Sequence, residues 1–177
     1  MPRVNDIFIE DGEIIFRNFS GKKSDFNPNG ARTVTFVIPD EIKDALLKDG
    51  WNVKPYVPKS DPERPPVYIL EATIAFRSRD GKPKDPHIFI LRPNGMMHVT
   101  EDIVDTLDGY DILKVDARLG PHYWEQGGRS GIRPYVNKML ITIKEDPIDR
   151  KYREYMDSMN ESVLPTDSDL DLPFPIE

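Results

Sequence analysis

"DILKVDARLGPHYWEQGGRSGIRPYVNKMLITI", residues 111–143, decides the fold. Its first part alternates. Leu113, Val115, Ala117 and Leu119 point one way, and Lys114, Asp116 and Arg118 point the other, the period of a half-buried strand. "EQGGRSG" reads as a turn and "IRPYVNKMLITI" as the returning strand. Arg133, Tyr135 and Asn137 share one face of that return by period two.

The flanking sequence repeats the theme. "GEIIFRNFSG" is a first strand, and "ARTVTFVIP" a second with Val34 and Phe36 opposed to Thr33 and Thr35. "PDEIKDALLKDG" is a short helix with Ile42, Ala45 and Leu46 on one face and Gly50 as its C-terminal cap. "VYILEATIAF" alternates Tyr68, Leu70, Ala72, Ile74 and Phe76 onto one face, and a turn at "DGKP" leads into "HIFILR". "TEDIVDTLDG" reads as another short helix with Thr100 as N-cap. "PIDRKYREYMDSM" is a closing helix with Ile148, Tyr152 and Tyr155 on one side. "NESVLPTDSDLDLPFPIE" lacks periodicity and reads as disordered. These patterns predict one mainly β domain with short helices over residues 1–156 and an acidic tail over 157–177. A small Greek-key barrel would close such strands without open edges.

Composition narrows the chemistry. The 177 residues contain no cysteine, which removes disulfides, thiol nucleophiles and cysteine zinc sites, and fits a reducing compartment. His87, His98 and His122 share no metal-ligand spacing, so no metal or other cofactor is expected. No apolar run reaches the roughly 18 residues of a membrane span, and "MPRVNDIFIEDG" does not read as a secretion signal. The net charge is −7, but six of the 31 acids lie between Met156 and Glu177, which hold no Lys or Arg. Residues 1–155 therefore carry 25 acids against 24 bases, and such a body can present a basic groove.

Three stretches interleave rings with cations, the mixture that binds single-stranded nucleic acid. Cations follow phosphates, and rings stack on bases at roughly 1–3 kcal/mol each. "FRNFSGKKSDFNPNGAR" sets Phe16, Phe19 and Phe26 among Arg17, Lys22, Lys23 and Arg32. "RLGPHYWEQGGRSGIRPYVNK" sets Tyr123, Trp124 and Tyr135 among Arg118, Arg129, Arg133, Asn137 and Lys138, with Trp124 the ring best suited to the core. "KDGWNVKPYVPK" sets Trp51 and Tyr56 around Lys54. Each ring also has a plainer reading as core, since strand aromatics usually pack inward. Asp102, Asp105, Asp108 and Asp111 have the spacing of one helix face plus its cap, so a carboxylate metal nuclease is a rival, although a solvated helix face is the simpler account. No phosphate-cradling or nucleophile-elbow motif occurs.

"IIFRNFSGKKSDFNPNGARTVTFVI", "LLKDGWNVKPY", "LDGYDILKVDARLGPHYWE" and "GRSGIRPYVNKMLITIKEDPIDRKY" together resemble the tailed-bacteriophage single-stranded DNA-binding proteins, over roughly Ile14 to Tyr152. That resemblance implies an OB-fold-like barrel, no enzymatic activity, and protection of single-stranded DNA during phage replication or recombination in the cytoplasm of the infected bacterial host. It also leaves room for a homo-oligomer. The end of the chain is similar to the acidic C-terminal peptide of bacterial single-stranded DNA-binding proteins. Asp169, Asp171, Leu172, Pro173 and Phe174 match that peptide, which implies docking of replication or recombination proteins: acids meet a basic rim and the apolar side chains fill its pocket. The pattern departs from it at Pro175, Ile176 and Glu177, which follow the phenylalanine. A second rival is an adaptor that captures such proteins through this tail and never touches DNA.

Overall fold

The computed structural model describes residues 3–92, 95–144 and 147–162. In chain order it forms β1 (Ile7–Gly12), β2 (Ile14–Asn18), β3 (Arg32–Ile38), α1 (Asp40–Asp49), β4 (Lys54–Tyr56), β5 (Val67–Ile74), β6 (Ile88–Arg92) and β7 (Gly95–Val99). A 3-10 helix (Val104–Gly109), β8 (Ile112–Gln126), β9 (Arg129–Ile143) and α2 (Pro147–Ser162) follow. Residues Met1–Lys144 form one compact unit and Glu145–Glu177 a second. The boundary expected at residue 156 falls inside α2. Ile148, Tyr152 and Tyr155 of that helix are exposed.

The long hairpin forms as its alternation predicts, with Gly127 and Gly128 at positive φ in its turn. The sheet path runs β1–β8–β9–β5–β3–β2, with β4 beside β5, β6 beside β9, and β7 beside β6. Within this path β5 and β9 alone run parallel, meeting at Thr73 and Tyr135. The sheet is not closed, because no ladder joins β1 to β2 among the described residues. Yet only Glu13 separates those two strands, so one kinked segment forms both ends of the path. The result is an OB-fold-like Greek-key sheet, open in its hydrogen bonds and joined through the chain.

The kink has a local cause. The register of β1 against β8 slips between Ile9 and Gly12, and Asp11 takes φ 50. The Asp11 N–H donates to Asp116 Oδ1 at 2.7 Å, and Lys114 Nζ donates to Asp11 Oδ1 at 2.8 Å. Gly12 has no room for a side chain: a Cβ there would run into Ile9 Cγ2 and approach the Val115 carbonyl to 3.1 Å. Inside the curve, Phe36, Leu70, Ile88, Ile90, Leu119, Met139 and Ile141 are fully buried, each contributing roughly 1.5–3 kcal/mol through apolar burial.

Three local expectations are corrected. Leu113 is 61% exposed, because the β8–β9 register slips between Ile112 and Lys114 and gives Ile112 the inward place. Ala45 is exposed as well, since the ten-residue α1 packs on the narrower Ile42–Leu46 ridge. Thr100 caps no helix with its side chain. Its carbonyl accepts from the N–H groups of Ile103 and Val104, and a 3-10 helix follows whose buried Val104 and Leu107 match a three-residue period.

Replacing Gly12 by alanine should cost roughly 1–3 kcal/mol, as overpacking does. The check is the denaturant midpoint. Gly109→Ala, with open space around the added carbon, should shift stability by less than about 0.5 kcal/mol.

Candidate nucleic-acid interface

Cross-strand partners share a face, so the register assigns the side of the sheet turned away from the core. One row across it reads Asn18, Thr33, Thr73, Tyr135, Gly120. Beside this row, Phe8, Arg118 and Lys138 stand in line across β1, β8 and β9, and His122 faces Arg133. The Arg118 guanidinium lies 4.8 Å from the centre of the Phe8 ring. Tyr135 packs against His122 at 5.1 Å, with Lys84 Nζ at 5.5 Å from its ring centre. At the other end, Phe16 and Tyr56 meet edge to face at 5.3 Å, with exposed Lys54 on the same short strand as Tyr56.

A bulge shapes the middle of this face. Arg118 opposes Lys138 and Leu119 opposes Val136, so Asn137 is the extra residue on β9. Its amide lies over Gly120, where any Cβ would collide with it, and its Nδ2 donates to Asp6 at 3.5 Å. The bulge turns Lys138 to the same side as Tyr135, whereas strict alternation would send it into the core. Lys84 is placed by its loop. The Lys84 N–H donates to the Phe76 carbonyl at 2.8 Å, and the Met139 N–H to the His87 carbonyl at 2.9 Å. Asp85 secures the same loop through the His87 N–H at 2.8 Å and the His98 ring at 3.1 Å. Partial burial acts to raise the Asp85 pKa, but these hydrogen bonds and the two histidines outweigh it and hold the carboxyl below its usual range.

The β2–β3 connection adds a tip. Asn27 holds it from within: its Nδ2 donates to the carbonyls of Lys22 and Ala31, and its Oδ1 accepts from the Ala31 N–H. Asn18 Oδ1 accepts from the Lys22 N–H at 2.8 Å. Gly21 and Gly30 both take positive φ, and a Cβ at Gly21 would come 2.7 Å from the Gly30 carbonyl. On this ordered loop Phe26 is 100% exposed, with Lys22 and Lys23 exposed beside it.

The sequence-selected residues therefore divide. Arg118, Arg133, Tyr135, Asn137, Lys138, Lys54 and Tyr56 lie on the outward face, Lys22, Lys23 and Phe26 on the loop, Arg17 at the exposed end of β2, and Arg129 at the hairpin tip. Phe19 and Trp51 are corrected from strand contacts to core, and Tyr123 and Arg32 have partners within the fold. Phe19 is 0% exposed and fills the core. Trp51 is 3% exposed beside Ile132, because residues 50–52 run along β9: the Asn52 N–H donates to the Ile132 carbonyl and the Ile132 N–H to the Gly50 carbonyl, both at 2.9 Å. Tyr123 turns to the opposite face from His122, and its hydroxyl accepts from the Val4 N–H at 2.9 Å. Arg32 is engaged internally, donating to the carbonyls of Phe19 and Ser20 and pairing with Asp105 at 3.5 Å. Trp124 is half-buried, with Nε1 3.3 Å from Asn52 Oδ1, and both side chains cover Gly131.

Phe8, His122 and Lys84 were not singled out from the sequence. Phe8 could have been found, since Ile7 and Ile9 alternate inward around it. Lys84 comes from a loop whose position depends on distant pairing. Asp108 is structural as well, accepting from the N–H groups of Phe19 and Ser20 at 2.8 and 3.0 Å. Among the described residues, no group of three or more His, Asp or Glu is placed to hold a metal ion. Asp169, Asp171, Leu172, Pro173 and Phe174 lie outside the described residues.

An OB-fold-like sheet with cations and rings on its outward face defines a class of single-strand-binding domain. The chain belongs to the family described as "Putative phage ssDNA-binding domain", which matches residues 1–174. Its fold is similar to that of the C-terminally truncated single-stranded DNA-binding protein from bacteriophage Enc34. The TM-score is 0.51 and the identity 11%, over 81% of this chain and 88% of that one. The same phage protein in complex with ssDNA aligns with a TM-score of 0.48 and 11% identity, over 81% of this chain and 89% of that one. No curated protein matches the sequence.

Asp108→Ala leaves two backbone donors without their acceptor and should cost roughly 1–3 kcal/mol. Denaturant unfolding checks the value, and amide hydrogen exchange should localise the loss to Phe19 and Ser20.

Proposed function

We propose that this protein coats single-stranded DNA without chemistry, protecting and organising it during phage replication or recombination. Tyr135 carries the reading: a ring on the outward face of the central strand, with Lys84 beside it and Arg118, Arg133 and Lys138 on the same face. The cations would take phosphates along β8 and β9, Tyr135 and the Phe16–Tyr56 pair would stack bases, and Phe26 would close over the strand from its loop. Most of these contacts are to charge and ring surface, so binding is largely independent of sequence and weakens with salt. The nuclease rival loses support because Asp105 and Asp108 are engaged with Arg32 and with the Phe19–Ser20 backbone.

The tail is assigned the second role. Asp169, Asp171, Leu172, Pro173 and Phe174 combine acids with an apolar pair, the chemistry of docking on a basic-rimmed pocket of a replication or recombination protein. The site of action is the cytoplasm of the infected bacterial host, where such DNA is made.

Fluorescence anisotropy with a labelled thymidine strand and a duplex control tests the first role. Tyr135→Ala should cost roughly 1–3 kcal/mol in affinity. Lys138→Ala should flatten the dependence of log affinity on log salt by about 0.7. Absence of any response to single strands would leave the adaptor reading in its place. Removal of residues 163–177 should keep strand binding and abolish capture of the partner protein in a pull-down.

A further inference from the structure

The outward face is not uniformly cationic: Asp116 shares it with Arg118 on β8, and Glu71 stands apart from the β8–β9 cations on β5. Glu71 of β5 stands opposite Thr35, which in turn stands opposite Phe16. Phe16 lies on β2 and Tyr56 on β4, so the contact of their rings spans β3 and β5, and Thr35 on that side is only 4% exposed. Glu71 is exposed next to this ring pair and forms no ion pair among the described residues. Along β3 and β5 its same-face neighbours are Thr33, Thr35, Thr73 and Ile69, with Lys54 of β4 opposite Ile69. The cations Arg118, Arg133 and Lys138 are grouped on the β8–β9 side.

A carboxylate repels phosphates and the β8–β9 cations attract them, so the backbone of a bound strand is drawn away from Glu71. It follows β8 and β9, and the bases lie across β5 and β3 toward the Phe16–Tyr56 rings. There the carboxylate meets base edges. An ionised carboxylate only accepts hydrogen bonds. Cytosine presents an N4 amino donor where thymine presents the O4 acceptor. We propose that Glu71 accepts a hydrogen bond from the exocyclic amino group of a base stacked beside the Phe16–Tyr56 pair, giving a bias for amino-bearing bases over thymine within otherwise general binding. This inference rests on the function proposed above and adds the orientation of the strand and the residue that reads it.

The experiment compares cytidine and thymidine homopolymers of equal length at neutral pH, by anisotropy, for the full chain and for Glu71→Ala and Glu71→Gln. The two bases keep the same ring size and differ at position 4, at N3, where thymine has an N–H, and by thymine's 5-methyl, so the two variants decide whether Glu71 causes the difference. The wild type should bind the cytidine strand roughly fivefold tighter than the thymidine strand, and both variants should bring that ratio near one. Equal affinity of the wild type for the two strands would overturn the proposal. So would an equal gain for both strands in the variants, which would make Glu71 a repelling charge and nothing more. Failure of the wild type to bind either strand would overturn the proposed function, and this inference with it.

Discussion

Everything in the first unit depends on β9 having hydrogen-bond partners on both edges. One edge carries β8 along the whole hairpin. The other receives three unrelated segments in succession: Trp51 at Ile132, β5 at Tyr135, and β6 from Met139 to Thr142. A strand with two filled edges cannot shift register without breaking several ladders together. That constraint fixes which β9 side chains face the core and which face outward. It holds Val136, Met139 and Ile141 inside and leaves Arg133, Tyr135 and Lys138 outside.

The bulge at Asn137 matters because of this rigidity. In a regular strand Tyr135 and Lys138 would lie on opposite faces. One inserted residue places both outside while Val136 and Met139 remain core. Gly120 gives the room for it, since only hydrogen fits beneath the Asn137 amide. The outward face is thus made by the same pairing that makes the core. The β2–β3 loop is built differently: Asn27 and two glycines shape its tip, Asn18 and Arg32 tie its base to β2 and β3, and Phe26 stands in solvent.

The exposure of large rings sets the outward face and the β2–β3 loop apart from the core. Phe8, Phe16 and Phe26 are all strongly exposed, whereas Phe19, three residues after Phe16, and Trp51 are buried. The RNF and DGWN stretches therefore each do two things. RNF carries Arg17 and leads into a core phenylalanine, and DGWN clips the long hairpin through Trp51 and Asn52. Arg32, a cation in the same stretch as Lys22 and Lys23, holds the loop together by bonding carbonyls of Phe19 and Ser20, which Asp108 grips from the other side.

Period-two alternation determined the strands by itself, because burying one face of a strand requires it. The hairpin, β3 and β5 were legible in this way, and the αL cap at Gly50 from a glycine ending a helical period. So was the class of chemistry, since rings set among cations suit a flexible polyanion with stacking bases. The sequence could not separate binding rings from core rings. Phe19 and Phe26, or Tyr123 and Tyr135, have the same composition around them, and only the pairing of strands distant in sequence decides which face each occupies. The slips at Ile112 and Asn137 depend on register against a partner strand, which no local pattern encodes. The outward meeting of Tyr135 with His122 and Lys84, and of Glu71 with the Phe16–Tyr56 pair, exists because one sheet carries these segments side by side.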